Sequence, residues 1–201
     1  MSVSLVKGQK ISLQKESSGG LTAVVMGLGW DPVDKPVGEG FFAKLKNLFS
    51  PGQDVDLDAS CALFDENKNP IDFVWFRQLK SKDGSITHTG DNLTGAGEAE
   101  DDEQIIVDLT KVPVNVKSLV FTINSFQGQT FNEIKNAVCR LVDQSGNQEI
   151  ARYVLSGGGN HTAMVMAKLY REGAEWKMEA LGEPANGQVV DQLIPVMKKF
   201  L

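Results

Sequence analysis

Short runs rich in Val, Ile and aromatic residues recur along the chain, each closed by a cluster of turn-forming residues, and this spacing predicts β-strands. The runs are "LTAVVMGL" (21–28), "VDLDASCALF" (55–64), "IDFVWF" (71–76), "IIVDL" (105–109) and "SLVFTIN" (118–124). They continue with "AVCRLVD" (137–143), "IARYVL" (150–155), "TAMVMAKLYR" (162–171) and "EWKMEALG" (175–182). Turns such as "DENKNP", "SKDG", "DQSGN" and "REGAE" separate them. Many short strands without intervening helical patterns predict an all-β, mainly antiparallel sandwich with a few short helices. No repeat of fixed period is present.

Two stretches carry helical spacing. In the C-terminal "VVDQLIPVMKKFL", Val190, Leu193, Ile194, Met197 and Leu201 form one stripe, and Pro195 predicts a kink. In "FFAKLKNLF" (41–49), Phe41, Phe42, Leu45, Leu48 and Phe49 share a helical face beside Lys44 and Lys46. Two readings stand for this second stretch: a docking helix for a membrane or partner, or, the favoured one, a helix covering an open end of the sandwich.

The 201 residues are enough to bury a core as a single domain over 1–201. No apolar run approaches the roughly 18 residues of a membrane span, and the N-terminus lacks a signal-peptide pattern, so a cytoplasmic protein is expected. Cys61 and Cys139 sit in apolar strand patterns and read as buried free thiols. The formal charge of −6 argues against nucleic acid as a partner, because phosphate binding needs clustered Lys or Arg.

That negative charge is unevenly spread. The window "GDNLTGAGEAEDDEQIIVDL" (90–109) holds seven carboxylates and no Lys or Arg. Upstream, "DVDLDAS" (54–60) alternates, so a strand there sends Val55, Leu57, Ala59 and Cys61 to the core and Asp54, Asp56 and Asp58 to the other face. Three such carboxylates repel unless a cation lies between them. The D-x-D-x-D spacing is not an EF-hand, since Ala59 stands where that loop needs Gly. In the second window, glycines at 90, 95 and 97 allow carbonyls to turn inward beside Asp, Asn and Glu oxygens. These ligands are hard, which suits Ca²⁺ better than Zn²⁺ or Mg²⁺. A solvated acidic loop is the alternative reading of the same residues.

The stretches "GLGWD" (27–31), "DLDAS" (56–60), "GDNLTG" (90–95), "DDEQI" (101–105), "TAMVMAKLYR" and "EWKMEALG" resemble, in order, the TerD family of bacterial tellurite-resistance and stress proteins. The resemblance implies a calcium-binding β-sandwich whose metal sites lie in loops joined by these motifs. Carried over by motif, the implied ligands are Asp31, Asp56, Asp58, Asp91, Asn92, Asp101, Asp102 and Glu103. They would hold two Ca²⁺ ions. The family pattern has Gly before "DDE", where this chain has Glu100, and residues 32–53 read as an insertion.

The resemblance further implies a binding or scaffolding role in resistance to tellurite and other stresses. It also implies association with other tellurite-resistance proteins, a membrane component among them, with peripheral placement at the inner membrane as the alternative location. Direct tellurite capture is not expected, because an oxyanion would meet a negative surface. The rival class is a metal-dependent hydrolase using the acidic loops. Against it, His88 and His161 lie in loops without a nucleophile pattern, and the acidic loops hold no Lys or Arg to seat a phosphoryl group. "SGGGNH" (156–161) lacks the Lys-Ser/Thr of a phosphate loop and reads as a turn between strands, and Trp30 and Trp75 read as core.

Overall fold

Alternating apolar positions become the inner faces of two six-stranded sheets. The structure, a computed structural model, describes residues 2–13, 21–32, 56–90, 101–154 and 158–201, and at 31, 32, 135 and 136 it describes the backbone alone. The strands are β1 (Val3–Ser4), β2 (Lys10–Ser12), β3 (Ala23–Pro32), β4 (Leu57–Phe64), β5 (Pro70–Val74) and β6 (Ile86–His88). They continue as β7 (Glu103–Asp108), β8 (Ser118–Ser125), β9 (Ile134–Asp143), β10 (Gln148–Val154), β11 (Ala163–Glu172) and β12 (Glu175–Ala185). One sheet has the order β1-β10-β9-β3-β7-β6 and the other β2-β12-β11-β8-β4-β5. All described pairings are antiparallel except that of β1 with β10.

All nine predicted strands are present. The three unpredicted ones, β1, β2 and β6, have two or three residues each, too few for alternation to register. Between the sheets, Met26, Leu28 and Trp30 from β3 meet Leu57, Ala59, Cys61 and Leu63 from β4 and Leu119, Phe121 and Ile123 from β8. A bulge in β11 between Val165 and Ala167 shifts its register against both neighbours. The extra residue lets Met164 and Met166 face this core alongside Ala167 and Leu169.

The outer face of the second sheet is covered as well, which is why every residue of β4 is buried. Ala62, Phe64, Val120 and Val165 pack there against Val190, Leu193 and Met197 of the C-terminal segment. That segment is not one kinked helix. Val190–Leu193 is a 3₁₀ turn and α1 (Ile194–Met197) follows, with Pro195 in its first turn. Proline's fixed φ and missing N–H suit a helix start, so Pro195 begins the α turn and the chain before it tightens. The expected stripe holds for Val190, Leu193 and Met197, which are buried, whereas Ile194 and Leu201 are half-buried.

Trp30 is core, but Trp75 is half-buried. Its ring meets Phe76 edge-on and lies under the Arg77 guanidinium, 5.5 Å from the ring centroid. The "FFAKLKNLF" stretch and nearly all of 32–53 lie outside the described residues. No helix among the described residues is long and apolar enough to cross a membrane.

Candidate metal centre

Strand direction brings the acidic motifs to one end of the sandwich. The ends of β3, β6 and β8 and the starts of β4 and β7 are neighbours through antiparallel pairing within each sheet. The two sheets are tied there by a hydrogen bond from the Ala59 backbone N–H to Glu103 Oε2, 2.6 Å long. Pro32 and Asp56, and likewise Gly90 and Asp101, therefore flank 33–55 and 91–100 at this end.

On the second sheet, Asp56 stands just before β4 and Asp58 lies within it, directly opposite Asn124 of β8. Alternation places both carboxylates on the outer face, as expected, yet that face is covered and they are only 6% and 3% exposed. Their hydrogen-bonded neighbours include two side-chain amides: Gln127 Nε2 donates to Asp56 at 3.2 Å, and Asn124 Nδ2 approaches Asp58 at 3.4 Å. Asn124 Nδ2 also donates to the Gln188 carbonyl at 2.6 Å. Asn124 Oδ1, in contrast, is buried without a hydrogen-bond partner among the described residues. Carboxylate and amide oxygens are hard ligands of the kind Ca²⁺ takes.

Glu103 opens β7 and points between the sheets. Pairing of β4 with β5 begins only at Cys61, so the N–H and C=O of Ala59 face past the end of β5. Buried backbone groups need partners, and two side chains supply them. Glu103 accepts the N–H, while His88 Nε2 lies 3.2 Å from the C=O and 3.3 Å from Glu103 Oε2. Because the Gly90 N–H donates to His88 Nδ1 at 3.1 Å, the ring proton belongs on Nε2, where it meets these acceptors. His88 and Glu103 thus stand in for the missing strand and join both sheets to the residue before 91–100.

The "DDE" motif divides. Asp101 folds back over the outer face of the first sheet, where Arg140 grips it from two nitrogens at 2.6 and 2.8 Å and Gln104 donates at 2.9 Å. This is possible because Gly27 lies between Gln104 and Arg140 in register and presents no side chain. Asp102 caps the end of β3, accepting the Trp30 N–H at 2.8 Å and donating its own N–H to Leu28. Asp31 continues β3 opposite Lys135, whereas Asp91 and Asn92 lie outside the described residues.

Among the described residues, the implied ligands Asp56, Asp58, Asp101, Asp102 and Glu103 lie at one end of the sandwich. Asp56 and Asp58 are on the outer face of one sheet and Asp101 on the outer face of the other, with Glu103 between. Among the described residues, no three His, Cys, Asp or Glu side chains gather closely enough to hold a metal. Sequence reading missed Asn124, Gln127, Gln188, His88 and Arg140. Two signals were present: a lone Asn at an outward position of "SLVFTINS", and a lone Arg in the apolar run "AVCRLV".

The two thiols are buried and His161 is stacked on an aromatic ring. Burial pushes the Cys139 thiol up to about 12 and holds the Cys61 thiol well above its ordinary value. His161 stacks on Phe131 at 4.5 Å, and burial lowers its pKa, which keeps it neutral.

These features define a class: a two-sheet, mainly antiparallel sandwich carrying buried carboxylates at one end. Residues 1–195 match the TerD domain family. Over 191 residues the chain is 48% identical to tellurium resistance protein TerZ of Serratia marcescens, covering 95% of this chain and 94% of that protein. It is 43% identical over 201 residues to stress response protein SCP2 of Bacillus subtilis, covering 96% and 98%. A solved homologue of telluride resistance protein TerD from Streptomyces coelicolor shares the fold, with a TM-score of 0.64, 19% identity and coverage of 84% and 92%. The chain belongs to the TerD family, which includes proteins of tellurium resistance and stress response.

Proposed function

We propose that this protein is a cytoplasmic Ca²⁺-binding stress-response module that acts by binding or scaffolding other proteins and not by catalysis. The observation that carries this reading is the pair Asp56 and Asp58, at the start of β4, only 6% and 3% exposed and approached by the side-chain amides of Gln127 and Asn124. Residues two apart on a strand lie roughly 7 Å apart, and two carboxylates buried at that spacing favour a divalent cation between them. Asp56 and Asp58 would hold the ion, with Asp31, Asp91 and Asn92 drawn from segments that begin at the same end. A second ion would draw on Asp102 and Glu103, which already accept the Trp30 and Ala59 N–H groups, whereas Asp101 is held by Arg140. Bound Ca²⁺ would neutralise these carboxylates and draw the acidic segments together.

The engaged histidines and protonated cysteines support binding over hydrolysis, and the relatives' names supply the setting of tellurium and general stress. Partners would be other proteins of the same resistance system, a membrane component included. Tellurite itself is a poor ligand for this acidic end.

Thermal melting in EDTA, Mg²⁺ and Ca²⁺ tests the reading. Ca²⁺ at ~100 times its dissociation constant should add about 2.7 kcal/mol, with Mg²⁺ adding much less. Equal melting temperatures in EDTA and millimolar Ca²⁺ would sink it, and metal-dependent turnover of a phosphate ester would move the case to a hydrolase.

A further inference from the structure

We infer that Trp75, Phe76, Arg77 and Phe126 form a docking surface for an acidic peptide segment of a partner protein, with Arg77 receiving a carboxylate and the rings an apolar side chain beside it. This rests on the reading of the protein as a binding module and names the chemistry of a partner; it does not depend on calcium. Trp75 and Phe76 follow β5 and Phe126 follows β8, and β4 lies between those two strands in the sheet. The rings bridge that gap: Phe76 meets Trp75 edge-on at 5.0 Å and Phe126 at 5.5 Å. The Arg77 guanidinium lies 5.5, 5.1 and 5.6 Å from the ring centroids of Trp75, Phe76 and Phe126.

Phe126 is 40% exposed, Arg77 is exposed, and Trp75 and Phe76 are half-buried, so the cluster forms one aromatic patch open to solvent. Charge points to what covers it. Residues 75–82, "WFRQLKSK", hold three cations and no carboxylate in a chain of formal charge −6. Lys82 pairs with Asp72, whereas among the described residues Arg77 and Lys80 pair with no carboxylate. Asp56 is met by Gln127, the residue after Phe126, and Arg77 turns to the rings instead. A cation serving to neutralise the acidic end would be paired with it; Arg77 keeps its charge at the surface. Three rings hold the guanidinium before any partner arrives, which reduces the freedom lost on binding. Its planar fork matches the two oxygens of a carboxylate, and Arg beside Trp is the composition of binding hot spots. An anionic bilayer would also meet the carboxylates at this end, whereas a peptide carboxylate can reach Arg77 alone.

The test is selection of random short peptides from a displayed library on the immobilised full chain, in EDTA so that peptide and calcium binding are read separately. Enriched peptides should place Asp or Glu beside a Leu, Ile or aromatic residue. By fluorescence anisotropy, Arg77→Ala and Phe126→Ser should each weaken their binding roughly tenfold or more. Arg77→Lys should weaken it too, because an ammonium lacks the fork. Since both parent side chains are exposed, these variants should melt with the parent. Peptides that bind Arg77→Ala as tightly as the parent would overturn the assignment while leaving the protein a binder through another surface. Enrichment of no peptide would overturn it as well, and Arg77-dependent binding to phosphatidylglycerol vesicles in its place would give the patch to a membrane.

Discussion

Arg140 of β9 clasps Asp101, just before β7, with Nε and Nη2 at 2.6 and 2.8 Å, across Gly27 of the intervening β3. The Asp101 side chain is only 1% exposed, so this is a buried two-pronged pair. Removing one partner of such a pair leaves an uncompensated charge. Asp101→Asn should therefore lose roughly 3 kcal/mol in urea denaturation while changing Ca²⁺ affinity less than twofold. Asp58→Asn should do the reverse, losing Ca²⁺ affinity with little loss of apo stability. A large fall in affinity for Asp101→Asn would return that residue to the ligand set.

The same clasp makes Gly27 indispensable. A Cβ built there falls 2.3 Å from the Asp101 carboxylate carbon and both its oxygens. Gly27→Ala should cost about 1–3 kcal/mol through overpacking. Because the clash is with one side chain, Gly27→Ala should cost far less in an Asp101→Ala background. Additive effects in that double-mutant cycle would place the strain in the backbone of β3 instead.

Alternation made most of this fold legible: Leu57, Ala59, Cys61 and Leu63 face the inter-sheet core as their spacing predicts. What alternation cannot convey is what covers the opposite face. Asp58 reads as a surface residue until the C-terminal segment, more than a hundred positions away, closes over β4. The acidic motifs were found as motifs, yet a run such as "DDE" cannot show that successive carboxylates serve an arginine, a strand cap and a backbone splice. Those assignments depend on Arg140, Trp30 and Ala59, which register alone brings near. His88 was misleading for the same reason, because its partner is a backbone carbonyl that sequence does not mark.

Acid should weaken the protein by a route apart from the metal. Lys111 and Thr110 hold Asp108 at about 2, below its ordinary value of 3.8, and Arg152 lowers Glu149. A carboxylate whose folded pKa is depressed contributes stability above its unfolded value and loses it as pH falls through the folded one. Unfolding free energy in EDTA should thus decline from about pH 4 toward pH 2. By NMR titration, Lys111→Ala should return the Asp108 midpoint toward 3.8. A midpoint unmoved by that substitution would show that Lys111 does not set it.

The C-terminal segment should sense the ion. Leu193, fully buried, and Met197 seat it on Phe64, Val120 and Val165, and Asn124 fastens its approach through Gln188. If the cation and this docking stabilise one another, each must strengthen the other by the same factor, since linkage is reciprocal. Leu193→Ala should cost roughly 2–5 kcal/mol if the segment stays docked, and less if the segment simply detaches. In either case it should lower Ca²⁺ affinity, although Leu193 is not itself a proposed ligand. Hydrogen exchange gives the converse measurement: Ca²⁺ should slow exchange of the amides at 192, 198 and 199, which are hydrogen-bonded within the segment. Exchange there that is indifferent to Ca²⁺, together with parental affinity in Leu193→Ala, would show that the segment covers the sheet without reading the ion.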